Sequence, residues 1–241
     1  ELVVFAIPGD GPHTITPASV FPWITETLSI DAYTQPGSSA NTLAIGNDAV
    51  LQIILDGDLT SNSRGIGFLG AGATGSSVRG LAINRFGGPT NSQGISLLNT
   101  NGITIAGNFI GTDVTGTTSE FSTSFRVVKG ISVLDSSANV IGGVSPEDRN
   151  LLSGNSAGIV LEGSTTQNNI IQGNYIGTDA SGTQELGNSN VIIIKSDAAN
   201  NTIGGSSAVS RNVISGNQAQ GIAFEGGGSG NKIQGNYIGT D

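Results

Sequence analysis

Two glutamates, a lysine and an aspartate recur at related places in repeated segments, and together they could do acid-base chemistry. Glu162 closes GIVLEG and Glu225 closes GIAFEG, with Lys195 on the unit between them and Asp135 one unit earlier. A polysaccharide hydrolase needs two carboxylates at a set separation, and a lyase needs a base that removes a proton. If the units stack as rungs, Glu162 and Glu225 stand about 10 Å apart, two strand spacings. Solvated outward side chains would give the same pattern, because the neighbouring equivalents read as apolar Leu134 and Ile194. His13 is the one histidine and lies far from this set, so a Ser-His-Asp triad has no support.

Aromatic residues form a second candidate set. Phe109, Tyr175 and Tyr237 occupy one position of GNFIGTD, GNYIGTD and GNYIGTD. An outward file of rings at two-rung steps could stack on sugars. The same rings could instead cover neighbouring loops. The turns that follow, GTDVTG and GTDASG, resemble cation loops, but each offers a single aspartate, Asp113 or Asp179, where calcium takes six or more oxygens. No metal and no cofactor is therefore expected, calcium being the one ion these turns would suit.

The elements that must position these residues are set by repetition. NVIGG at 139 to 143 and RNLLSGN at 149 to 155 return, shifted by 62 residues, as NTIGG and RNVISGN. Units open at Gly65, Gly94, Gly130, Gly158, Asn190 and Gly221, about thirty residues apart. Each holds three short apolar runs: an opening strand such as GIVLEG, then N-x-I-x-G, then a closing N-x-I strand. Alternation puts Ile159 and Leu161 inward and Val160 and Glu162 outward, and on the same reading Val191 and Ile193 point inward. Units this short lack room for a crossover helix beside three strands, and the Gly and Asn corners suit turns with positive φ. The expected fold is all-β, a right-handed parallel β-helix of about seven to eight rungs with three short strands per rung. Residues 1–64 form irregular opening rungs and 65–241 the regular repeats of one continuous domain.

Three files of polar corner residues follow from that stacking. One runs through Asn108, Asn150, Asn174, Asn212 and Asn236, and a second through Asn139, Asn169, Asn201 and Asn231. A third takes Asp113, Asn155, Asp179, Asn217 and Asp241. Side chains stacked at about 4.8 Å can hydrogen-bond along the axis, so the files read as structural asparagine ladders. Outward Leu98, Leu134, Val160, Ile192 and Ile194 would form an apolar stripe, a candidate interface for lateral association.

Composition narrows the partners. The chain has 241 residues, of which 38 are Gly, and only 11% are charged, with a formal net charge of -9. That balance repels phosphate backbones and anionic lipid, so neither nucleic acid nor membrane is expected as a partner. There is no Cys, which excludes disulfides and thiolate metal sites. The first residues, Leu2 to Ile7, enter an apolar run with no leader ahead of them, and the sequence stops at Asp241 inside a repeat. The expectation is a piece of a longer protein or an assembly unit that stacks on itself.

The set FAIPGDGPHTITPAS, ITETLSIDAYTQPG, VRGLAINRFGG and GNYIGTD resembles the right-handed parallel β-helix repeat proteins of bacterial secreted and surface proteins. The resemblance implies the handedness, an extracellular setting and the pectate-lyase-like superfold. It does not carry an activity, and the calcium-binding aspartates and catalytic arginine of the pectate lyases have no matching motif. The expected function is a structural or adhesive surface module whose partners are itself or further repeats. The alternative is a protein that binds or degrades polysaccharide through the Glu162, Lys195 and Glu225 face.

Overall fold

The structure is a computed structural model that describes residues 1–60, 64–88, 92–119 and 128–239. Short strands wind into a right-handed parallel β-helix with three sheets, all of their strands parallel and in register. Opening strands of successive rungs make one sheet: Arg64–Leu69, Gln93–Leu98, Lys129–Leu134, Ala157–Glu162, Asn190–Lys195 and Ile222–Glu225. Middle strands such as Val140–Gly142 and Ile170–Gln172 make the second sheet, and closing strands such as Leu151–Leu152 and Tyr175–Ile176 the third. The second and third sheets begin two rungs earlier, at Leu2–Val4 and His13–Ile15, and continue through Ser29–Asp31 and Ile53–Asp56. In those opening rungs the first sheet is represented by a single bridge from Ile24 to Phe68.

Core and corners both follow from side-chain size. Ile, Leu, Val and Phe from all three sheets fill the interior as one cluster, including Ile95, Ile131, Ile159, Ile105, Ile141 and Ile176. The opening strands enter through a kink at which two consecutive residues face inward. A Cβ on Gly158 would meet the carbonyl of Val191 at 2.9 Å and the Ile176 side chain at 3.2 Å, so glycine is the residue that fits most rungs there. The corner before the third sheet is likewise tight: Gly173 has φ 71°, and a Cβ there would lie 2.2 Å from the carbonyl of Gly143.

The fifth opening strand corrects one sequence expectation. Register pairs Ile159 with Ile192, Val160 with Ile193 and Leu161 with Ile194. Ile192 and Ile194 are therefore core residues, fully buried, and Ile193 is the outward one. Val191, rather than Asn190, takes the inward place that glycine holds in the neighbouring rungs. The cause is local: four consecutive apolar residues, Val191 to Ile194, give alternation no phase to lock on.

That register has a direct test. Ile194→Ala should cost about 2 to 5 kcal/mol in urea unfolding, the range for a fully buried aliphatic side chain. Ile193→Ala should cost less than half as much, and equal losses would mean that the strand is slipped by one residue.

Candidate functional site

The carboxylates of the first sheet are best described from their register. Leu134, Glu162, Lys195 and Glu225 lie side by side on consecutive rungs, all on the outward face. The Glu162 carboxylate bridges two ammonium groups, with Oε2 3.5 Å from Lys129 Nζ and Oε1 3.4 Å from Lys195 Nζ. Lys129, absent from the expected set, enters from the start of its strand and crosses one rung to reach Glu162. Glu225 pairs in register with Lys195 and stands exposed. Asp135 does not join them. It turns the corner after Leu134 with φ 48° and accepts a hydrogen bond from the Thr165 hydroxyl at 2.9 Å. The four residues thus separate into a corner aspartate and an axial row of alternating charge. Ile194, expected beside Glu162, faces the core, and Lys195 holds that place.

The rings of the third sheet are mostly covered. Phe109 and Tyr175 are buried, packed with Leu51, Ala82, Leu151 and Ala180 beneath folded-over loops. Tyr237 alone of the three is open, 47% exposed. Each tyrosine carries an arginine on its face, Arg149 at 4.6 Å from the Tyr175 ring centre and Arg211 at 4.3 Å from that of Tyr237. Neither arginine stood out in the sequence, although RNLLSGN and RNVISGN both begin with it and so repeat it with the tyrosine.

Asp113 and Asp179 serve their own turns. Asp179 Oδ1 accepts from the Ser181 hydroxyl at 2.7 Å and from the N–H groups of Thr183 and Gln184 at 3.2 and 3.1 Å. Asp113 does the same with Thr115, Thr117 and Thr118. The two turns then join, because Ala180 N–H donates to the carbonyl of Gly116 at 2.8 Å. Neither aspartate belongs to an axial file. Asn155 instead stacks on Asn188, and Asn188 on Asn217, each amide donating to the next Oδ1 at 3.1 and 3.0 Å. Asp241, the last expected member, lies outside the described residues.

In the other two files every amide donates to the Oδ1 of its successor. Asn108 reaches Asn150 at 3.2 Å, Asn150 reaches Asn174 at 2.9 Å, Asn174 reaches Asn212 at 3.0 Å, and Asn212 reaches Asn236 at 2.8 Å. Asn139, Asn169, Asn201 and Asn231 follow the same rule at 2.8 to 3.1 Å. A shorter hydroxyl file, Thr100, Ser136 and Thr166, runs beside them, each backbone N–H donating to the next hydroxyl. The expected apolar stripe shrinks in consequence of the register: Leu98 and Leu134 are outward and half-buried, Val160 is outward but 2% exposed, and Ile192 and Ile194 are interior.

No protein-family model matches the chain, and no curated protein matches it. Among solved structures it is similar to the crystal structure of an alginate lyase from Paenibacillus sp. str. FPU-7, with 14% sequence identity over 99% of this chain and 92% of that one, at a TM-score of 0.39.

Two outcomes follow from the geometry. Asn174→Ala strips partners from the carbonyls of Ile141 and Gln172 and from Asn150, and each buried group left unpaired costs about 1 to 3 kcal/mol. The urea midpoint should fall accordingly, while Gln218→Ala at the surface should change stability by under about 0.5 kcal/mol. The second outcome concerns pH. Burial alone would raise the Asp179 pKa, but the hydrogen bonds from Ser181, Gln184 and Thr183 outweigh it and hold the carboxyl below its usual range. A depressed carboxylate stabilises the fold above its unfolded pKa, about 3.9, and that contribution is lost as pH falls through the lower folded value. Amide exchange at Thr183 and Gln184 should accelerate selectively on acidification below about pH 4, and Asp179→Asn should remove this pH dependence.

Proposed function

We propose that this β-helix is a structural stem of a secreted or surface protein, making contact through its outer faces and associating with itself or with further repeats. The observation that supports the reading is the hydrogen-bonded corner files, which tie each rung to the next across successive turns of the helix. A rod whose corners are bonded along its axis resists bending and local opening, because no rung can leave without breaking amide contacts on both sides. The carboxylate row points the same way. A glutamate held between two lysines is an axial tie on a sheet surface, and hydrolysis needs instead one carboxyl free to protonate a leaving group. The extracellular setting belongs to the proposal and rests on the resemblance of the repeat set.

A second reading, attachment to polysaccharide, is favoured by the alternating charge of Glu162, Lys195 and Glu225 along the outward face of one parallel sheet, a surface that runs along the axis as an extended glycan would. The two readings differ in what solution assays show. Incubation with a panel of acidic and neutral polysaccharides should release neither unsaturated nor reducing ends, and either product would overturn the stem reading. Retention on an immobilised polysaccharide without turnover, lost in Lys195→Ala, would assign the adhesive contact to this face.

A further inference from the structure

A solenoid holds together rung by rung, each turn touching only its neighbours, so a contact that skips rungs changes how the whole opens. Residues 41–48 make such a contact. The loop leaves the wall between Ser39 and Val50, whose backbones exchange hydrogen bonds at 3.0 and 2.9 Å, and Val50 leads into the strand Ile53–Asp56. Its tip ends on Tyr175. In the third sheet Leu81–Asn84, Phe109–Ile110 and Leu151–Leu152 lie between Ile53–Asp56 and Tyr175–Ile176. Four strand spacings make about 19 Å, and the chain from Ser39 to Gly46 reaches about 23 to 25 Å when extended, so the loop has little slack.

The far end is gripped by hydrogen bonds. Arg149 Nη1 donates to the carbonyl of Leu43 at 3.0 Å and to that of Gly46, and Nη2 donates to the carbonyl of Ala44 at 2.9 Å. The Gly46 N–H donates to the Tyr175 hydroxyl at 2.8 Å, and Asn41 Nδ2 donates to the carbonyl of Pro146 at 2.9 Å. A guanidinium presents several N–H groups in one plane, which suits it to carbonyls that converge on a point. Among the described residues no carboxylate lies within ion-pair distance of Arg149, so these carbonyls are its polar partners.

The loop between root and tip is braced. The Asp48 carboxylate accepts from the Thr42 N–H and from the Thr42 hydroxyl, both at 2.7 Å. Asn41 Oδ1 accepts from the N–H groups of Leu43 and Asp48 at 3.1 and 3.0 Å. A segment held in shape from inside passes a displacement from one end to the other instead of absorbing it. The two ends differ in what holds them. Around Leu151 and Tyr175 all three sheets are present, whereas at Ser29–Asp31 and Ile53–Asp56 the first sheet contributes the single bridge from Ile24 to Phe68. Those opening rungs therefore have fewer backbone hydrogen bonds per turn to resist local opening.

We propose that residues 41–48 are a clasp that secures the two-sheeted opening rungs directly to the three-sheeted rungs of Arg149 and Tyr175. While Arg149 holds the tip, Ser39 and Val50 stay in place, and with them the strands they continue into. The clasp bypasses Leu81–Asn84 and Phe109–Ile110, so the stability of the opening rungs is set by a contact several rungs away as well as by their neighbours. This inference does not depend on the stem reading, since it concerns how the helix opens whatever it supports.

Native-state amide exchange in the full chain, read residue by residue by NMR, tests it. Gly46 has φ 85° and supplies the N–H to Tyr175, so Gly46→Pro breaks the tip without altering any strand. Exchange at Ile30, Ile54 and Leu55 should quicken about tenfold or more in this variant, while Ile83 and Ile110 change less than about threefold. Arg149→Ala should produce the same pattern from the other end of the contact. Nearest-neighbour coupling alone predicts a different order, with the loss in Arg149→Ala greatest at Leu151, weaker at Ile110 and Ile83, and least at Ile54. That order overturns the proposal, and so does acceleration confined to residues 41–48 and the groups they touch. Circular dichroism establishes that Arg149→Ala is folded; should it not be, Gly46→Pro decides, with Tyr175→Phe, which removes only the acceptor hydroxyl, expected to give the same pattern at smaller size.

Discussion

Stacking every rung directly on the last makes the corners the hardest part of this fold to satisfy. Within a strand, backbone N–H and C=O groups find partners on the neighbouring rungs, but at a corner the chain turns and those groups point away from the ladder. Asparagine answers the problem because its amide both donates and accepts. Asn174 Nδ2 reaches the carbonyls of Ile141 and Gln172, and its Oδ1 receives Asn150 from the preceding rung. The following file member, Asn212, takes over the Asn174 backbone N–H at 3.0 Å. Each corner is therefore completed by the next rung, which is why the same residue must return at the same place.

The need for repetition divides the molecule into two kinds of surface. Inside, the isoleucine and leucine columns must keep similar volumes from rung to rung, since a rung of different width would break register with both neighbours. Outside, freedom is confined to the connections, and the chain uses it unevenly. Residues 41–48 and the turns that start at Asp113 and Asp179 all fold onto the closing-strand sheet, burying Phe109, Leu151 and Tyr175. The opening-strand sheet instead carries the charged row Glu162, Lys195 and Glu225, with Lys129 reaching Glu162 from the start of its own strand.

Much of this architecture was legible because parallel stacking writes itself into sequence as literal repetition. Asn at a corner, Gly at the strand entrance and Ile at inward positions recur with a phase that alternation can read wherever polar and apolar residues alternate. Where they do not, at Val191 to Ile194, the phase was lost by one residue, so Ile192 and Ile194 were expected outward where Ile193 is. A local match could have restored it: Gly187, Asn188 and Ser189 repeat Gly154, Asn155 and Ser156, which places Asn188 on Asn155 and Val191 on Gly158. The same match would have removed Asp179 from the file, since two residues cannot occupy one corner of one rung.

The candidate surface was harder to read for a physical reason rather than for want of a pattern. Arg149 and Tyr175 do repeat as Arg211 and Tyr237, and that much is visible. What they hold is not, because the loop is recognised through the carbonyls of Leu43, Ala44 and Gly46, and every residue has a carbonyl. Backbone recognition leaves little trace in residue identity beyond the glycine that lets the turn come close. The ring's role was equally hidden, since Tyr175 is covered both by its own following turn and by a loop that starts more than a hundred residues away. Repetition shows that the two pairs are alike; only the fold shows what Arg149 and Tyr175 hold. The contact at Arg149 and Tyr175 is thus long-range packing laid on a local repeat, and in a solenoid that is where one rung acquires a role its neighbours lack.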